Sequence, residues 1–231
     1  MRPAAAPYAA LVIEIEREGD VAVVRWRDGE NRFNRASVAR WHEVLDELEA
    51  IEGPLGVVLV GEGRFFSNGL DLDAFAAEPD TAGAVVSEVE RLFGRLLLFP
   101  AYVVAALNGH TFAGGAMLAC CADTRVMRDD RGFWCLPEVD LGLPVTEAML
   151  AAVTSHLTVP VAAEALNTGR RYTAAEAQAA GIVEHVAPEA GVLPRAIELA
   201  AAIAPKSRKV IAAHKRLLFA EAARACGHVV D

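Results

Sequence analysis

Apolar and polar residues alternate along LVIEIEREGDVAVVRWRD (residues 11–28), pause at Glu18-Gly19-Asp20 and alternate again. A period of two on either side of a turn predicts an antiparallel pair of strands. Beyond it the period lengthens. Val38, Trp41, Val44, Leu45 and Leu48 recur at helical spacing in VARWHEVLDELEAIE, and Asn34 or Ser37 stands where a helix cap is needed. GPLGVVLVGEG (53–63) does not alternate, and a short apolar run between glycines is the pattern of a strand buried on both faces of a parallel sheet. FFSNGLDLDAF (65–75) reads as a loop, 81–98 as a helix and YVVAALNG (102–109) as a second buried strand. A helix over 114–122 and two short strands within TRVMRDDRGFWCLP (124–137) follow.

After Gly142 the pattern is helical: TEAMLAAVTSHL, VAAEALNT, TAAEAQAAG, VLPRAIELAAAIA and KSRKVIAAHKRLLFAEAARAC. The expected architecture is an α/β part with right-handed crossovers, followed by a helical part.

Composition narrows the function classes. At 231 residues, 54% of them hydrophobic, the chain can bury one large core. No apolar run reaches the ~18–20 uninterrupted residues of a membrane span. MRPAAAPYAALVIEIEREGD makes a poor leader and CGHVVD is no peroxisomal signal, so a soluble, cytoplasmic protein is expected. A formal charge of −9 disfavours nucleic acid, whose binding depends on neutralising phosphates. The basic run KSRKVIAAHKR (206–216) is either a solvated helix face or a local phosphate contact. Cys120, Cys121, Cys135 and Cys226 form no C-x-x-C pair and read as buried free thiols rather than nucleophiles; no metal site is expected.

Three pieces follow the buried strands, where open α/β folds place their sites: FFSNGLDL (65–72), NGHTFAGG (108–115) and CLPEVDLGLP (135–144). Gly69-Leu70 and Gly114 offer backbone rather than side chains. Free amides there, one at a helix start, either converge on an anion as an oxyanion hole or form an ordinary glycine-rich turn. Glu138, between Pro137 and Val139, is either a partly desolvated base with a raised pKa or a solvated loop or capping carboxylate.

GENRFN, GEGRFFSNGLDL, ALNGHTFAGGAMLACCADTRV, LPEVDLGL and LNTGRRYTAAEAQAAGIVEHV, in this order, resemble the crotonase superfamily of enoyl-CoA hydratases and isomerases over about residues 11–190. The resemblance implies an α/β spiral of ββα units over 1–190 and a helical trimerisation region over 191–231. It also implies acyl-CoA thioester substrates, no permanently bound cofactor, and a homotrimer or dimer of trimers. The oxyanion donors would be the amides of Leu70 and Gly114, and the base Glu138. Arg64, Phe65, Phe66, Asn68, Gly69, Met117 and Leu143 would border the substrate, with Arg32 and Phe33 nearby. Lys206, Lys209, Lys215 or Arg216 would meet the ribose phosphate of coenzyme A.

Hydratases of this superfamily resemble one another in a second glutamate three residues after the oxyanion glycine; here that position is Met117. One turn along a helix returns to nearly the same face, so residue 117 should look into the site, where methionine cannot deprotonate water. A single carboxylate suits a 1,3-proton shift, and the wording resembles the monofunctional 3,2-enoyl-CoA isomerases, notably the plant-like branch. The alternatives are weak hydration, dienoyl-CoA isomerisation, thioester hydrolysis, decarboxylation, or non-catalytic acyl-CoA or RNA binding. A dienoyl isomerase would bring Glu147 or Asp140 within about 4 Å of Glu138. Asp71 is expected to cap a helix, Asp123 to hydrogen-bond structurally, and His110 either to line the pocket or to be a neutral loop histidine.

Overall fold

The computed structural model describes residues 13–230. β1 (Ile13–Glu18) and β2 (Val21–Trp26) form the expected antiparallel pair, with Gly19 in the left-handed region at the turn. β3 (Arg32–Phe33) leads into α1 (Arg35–Glu49), whose cap is Asn34: its side chain accepts from the amides of Ala36 and Ser37, while the Ser37 hydroxyl accepts from the Asn34 amide. β4 (Gly56–Gly61) is buried along its whole length.

The stretch expected as a loop is instead three short pieces, β5 (Phe65–Ser67), β6 (Gly69–Leu70) and α2 (Leu72–Ala77). Pieces of two or three residues are too short to show a period. α3 (Pro79–Leu97), β7 (Tyr102–Leu107), α4 (Gly114–Cys120), β9 (Thr124–Arg128) and β10 (Trp134–Cys135) follow in the expected order, with a further short strand, β8 (His110–Phe112), between β7 and α4 that the sequence pattern did not announce. α5 (Glu138–Leu141), α6 (Glu147–Thr154), α7 (Val159–Thr168) and α8 (Ala174–Ala179) follow. β11 (His185–Ala187) is a strand the sequence pattern did not announce, before α9 (Glu189–Ile203) and α10 (Arg208–Ala225).

Six strands make one sheet in the order β1-β2-β4-β7-β9-β11, parallel from β2 onward. Its two faces explain the unbroken apolar runs. Val57, Leu59, Val103, Ala105 and Met127 enter the main core with α1, α3 and α4. Val58, Val60, Val104, Ala106 and Val126 turn to the other side, where Val192, Ala196 and Ala200 of α9 cover them. A Cβ on Gly56 would lie 2.6 Å from the Ala200 carbonyl oxygen, so helix backbone rests directly on strand backbone. The helices after residue 190 are therefore packed into this same body, α9 on the sheet and α10 on α3 and α6. A second sheet, β10-β8-β5, is parallel throughout, and β3-β6 is a parallel pair. Among the described residues no helix is long and apolar enough to cross a membrane.

Two ion pairs with buried cations tie the C-terminal part to this frame, one from the segment before β11 and one from α10. Arg125, fully buried, donates to Glu184 at 2.7 Å and to the carbonyls of Ala119 and Ala122 that end α4. Lys215, a candidate for phosphate contact, is 4% exposed, with its Nζ 2.6 Å from Asp123 and donating to the Ala101 carbonyl. Its place on α10 faces inward, so it meets no phosphate. Asp123 also accepts from the Val103 amide at 2.7 Å, which makes it the structural hydrogen-bonder expected. All four cysteines are buried free thiols; burial pushes Cys120 and Cys226 up to about 12 and Cys135 up to about 11.

Replacing Lys215 by Met would leave the Asp123 carboxylate without its cation. The expected loss is about 3–5 kcal/mol, since breaking a buried pair strands the remaining charge. Equilibrium urea unfolding of the variant measures it.

Candidate active site

The three parallel strands β10, β8 and β5 send their C-terminal ends to one edge. From that edge leave the three segments that carry the candidate groups: Cys135 towards Glu138, Phe112 towards Gly114, and Ser67 towards Leu70. Parallel strands, β5 and β10 buried and β8 partly so, thus deliver backbone and one acid to one edge.

Leu70 is held by its pairing with β3, in the register Arg32 with Gly69 and Phe33 with Leu70. The Asp71 amide donates to the Phe33 carbonyl at 2.9 Å. Phe33 thus bonds the residue after Leu70, and the Leu70 N–H is turned out of the pair. Gly114 is the first residue of α4; the first intrahelical bond runs from the Met117 amide to the Ala113 carbonyl at 3.0 Å. The Gly114 N–H, antiparallel to that carbonyl across a trans peptide, points out of the helix start.

The two donors sit on touching backbones. A Cβ on Gly69, whose φ is +80°, would fall 2.7 Å from Ala113 Cβ and 2.9 Å from the Gly114 nitrogen. A Cβ on Gly115 would fall 2.6 Å from the Ser67 carbonyl oxygen. Only glycine fits at either place. Phe33, fully buried against Trp26 at 4.9 Å, lies beneath Gly114 and is a core residue, not a ligand contact. Asn31, which sequence reasoning passed over inside GENRFN, clamps this assembly. Fully buried and in the left-handed region, it donates to the carbonyls of Phe65 and Phe66 at 3.1 Å and accepts from Ser67 Oγ at 2.6 Å. Its signal was an asparagine two residues after a glycine at the end of a strand.

Glu138 opens α5 rather than lying on a loop. It is 9% exposed, and its Oε2 is buried with no hydrogen-bond partner. Burial pushes its carboxyl above the usual range, opposed only by its own backbone amide and by no nearby cation. The Ala113 amide donates to the Cys135 carbonyl at 3.0 Å, which fixes the oxyanion segment three residues upstream of the acid.

The other candidates divide. Met117 is 1% exposed, on α4 one turn after Gly114, and part of the main core. Leu143 is 43% exposed, its amide bonded to the Glu138 carbonyl at 3.0 Å. Arg64 is exposed and makes no ion pair among the described residues, with its guanidinium 5.8 Å from the Phe65 ring centroid. Phe66, taken as a substrate contact, is 2% exposed and points into the core, because adjacent strand residues face opposite sides. Asn68 donates to Glu30 at 2.7 Å, and Asp71 caps α2 through the Ala74 amide at 3.2 Å. Arg32 is engaged by Glu30 and Asp73. His110 is half-buried among Phe65, Phe112 and Phe133, and burial with the charges of Arg64, Arg131 and Arg171 lowers its pKa, leaving it neutral. Asp140 stands two positions beyond Glu138 on a helix, so the two do not share a face, and it packs over Gly169. Glu147 is exposed at the start of α6.

Comparison with known proteins gives the family and the fold. The family model described as enoyl-CoA hydratase/isomerase matches residues 16–229. Enoyl-CoA delta isomerase 3 of Arabidopsis thaliana is 33% identical over 224 residues, 91% of this chain and 93% of that protein. A putative enoyl-CoA hydratase of Thermus thermophilus is 35% identical over 221 residues, 90% of this chain and 84% of that protein. Among solved structures, an apo enoyl-CoA isomerase of Mycobacterium tuberculosis superposes with a TM-score of 0.85 at 27% identity, covering 95% of this chain and 96% of the other.

The raised carboxyl of Glu138 has a stability signature. Its folded pKa lies above its unfolded value, so the wild type loses stability as pH rises through the folded pKa. Glu138→Gln has no such loss. In thermal melts across pH the variant should melt above the wild type at neutral pH, and the two should converge below about pH 4.3, where the unfolded glutamate is itself protonated. Coincident curves at neutral pH would show the carboxyl to be solvated.

Proposed function

The chain is an enzyme of the enoyl-CoA hydratase/isomerase family with the crotonase fold, and we propose that it moves the double bond of a 3-enoyl-CoA to the trans-2 position. The observation that carries this reading is the pairing of Glu138 with Met117. One carboxylate is buried with no cation near it and its Oε2 without a hydrogen-bond partner, and a thioether fills the position where a hydratase would keep its second acid.

Glu138 as the carboxylate removes a proton from C2. The electron pair released delocalises through C1 onto the thioester oxygen and conjugates with the C3–C4 double bond, giving a dienolate. The amides of Leu70 and Gly114 hydrogen-bond that oxygen as its charge grows, which lowers the barrier because the donors are already in place. Glu138 then returns the same proton to C4, leaving a C2–C3 double bond and a regenerated carboxylate. A carboxylate with a raised pKa is suited to both halves, since it must bind a proton strongly enough to take it from carbon. No water is consumed, and Met117, buried in the core, supplies no second acid.

Arg64 and Phe65 border the coenzyme A end in this reading, and Leu143 the acyl end. Coenzyme A arrives as part of the substrate. Assembly is proposed to be a homotrimer or a dimer of trimers through the C-terminal helices, on which Val210, Leu217 and Leu218 remain 50%, 86% and 72% exposed.

A paired assay separates the alternatives. The wild type should isomerise 3-hexenoyl-CoA and hydrate crotonyl-CoA poorly. Glu138→Gln should bind the thioester yet lose isomerisation by about 10²–10⁴-fold, the usual worth of a positioned general base. Met117→Glu should gain hydration. Brisk hydration by the wild type would sink the isomerase reading.

A further inference from the structure

Ala113 is one of two non-glycine residues with positive φ among those described, at φ +50° and ψ −125°. A β-carbon makes that conformation unfavourable, so the surrounding contacts must impose it. Three do. Its amide donates to the Cys135 carbonyl at 3.0 Å, and its carbonyl accepts the first intrahelical bond of α4 from Met117 at 3.0 Å. Its Cβ stands over Gly69, where an added Cβ would approach to 2.7 Å. Each contact reaches a different part of the site. Cys135 lies on the strand leading to Glu138, Met117 on the helix opened by Gly114, and Gly69 beside Leu70. The other positive-φ residue, Asn31, secures its conformation with its own side chain, whereas alanine has no such means.

Given a thioester oxygen bound at Gly114, as proposed above, we infer that Ala113 is a positioning residue whose strained backbone aims the Gly114 amide and holds both oxyanion donors in register with Glu138. The direction of the Gly114 N–H is set by the Ala113–Gly114 peptide plane. That plane is fixed from behind by the Cys135 and Met117 bonds and from the side by the contact with Gly69. The methyl group is what makes the conformation both strained and stiff. It excludes the neighbouring backbone torsions that glycine would sample, so the amide is held in place before substrate arrives.

The test is Ala113→Gly, compared with the wild type in thermal melts and in 3-enoyl-CoA isomerisation. Glycine adopts positive φ without penalty, so the variant should fold and melt roughly 2–6 °C higher. It should also turn over about 10-fold more slowly, with KM changed less than twofold, because a looser donor weakens transition-state binding more than substrate binding. Ala113→Ser restores the β-carbon and should recover kcat to within about threefold of the wild type. A glycine variant with wild-type kcat would overturn the inference, as would one in which kcat and Tm fall together and serine does not restore kcat. Loss of isomerisation in Glu138→Gln beside an unaffected Ala113→Gly would refute the positioning role alone. Retention in Glu138→Gln would refute the proton shuttle instead.

Discussion

The contact on which the rest of the site depends is a close approach of two chain segments at glycine: Gly69 against the Ala113 methyl and the Gly114 backbone, and Gly115 against Ser67. Two chain segments can present amides to a single oxygen only if nothing thicker than a hydrogen atom separates them. The glycines are therefore spacers as much as flexible joints. The buried layer beneath follows from them. Phe33 fills the space under Gly114, and Asn31 satisfies the carbonyls of Phe65 and Phe66 that this close packing would otherwise strand.

A second constraint is electrostatic. Of the buried charged side chains among the described residues, Arg125, Arg128 and Lys215 each face a carboxylate. Glu138 faces no cation at all. Pairing is what normally makes a buried charge tolerable, and a paired carboxylate would be a weak base. Leaving Glu138 without a cation destabilises the folded chain near neutral pH and at the same time raises the proton affinity that the proposed proton shuttle needs. The paired charges lie elsewhere, where they fasten α10 and the end of α4 to the sheet.

How far the sequence was legible follows from the length scale of each interaction. Apolar strands such as β4 and β7, and the Asn34 cap, were readable because period and capping are local properties of a dozen residues or fewer. The first two glycine loops and Glu138 were readable as candidates for the same reason, although their meeting was implied only by the resemblance to the crotonase superfamily. β6 has two residues and β11 three, and both exist because a neighbouring strand offers hydrogen bonds, which no window on the chain can register. The misreadings of Phe66 and Lys215 have a common origin. Which way a side chain faces on a short strand or a mostly polar helix is decided by what packs there, and Lys215 turns inward only because Asp123 waits inside. The strain at Ala113 was equally hidden, since alanine carries no sequence mark of positive φ.

In the proposed isomerase these constraints converge on residue 117. Residue 117 lies inside the core at 1% exposure, one turn beyond a helix start with no side-chain cap. A carboxylate there would add a second buried acid to a site that has already left its first without a cation, and neighbouring carboxylates raise one another's pKa. A hydratase must bear that burden, because water has to be held and deprotonated between two acids. An isomerase need not, because its proton leaves one carbon and returns to another by way of a single carboxylate. Methionine at 117 keeps that core position apolar and, in the isomerase proposed here, leaves no second acid to activate water, so one side chain would serve both packing and the choice of reaction.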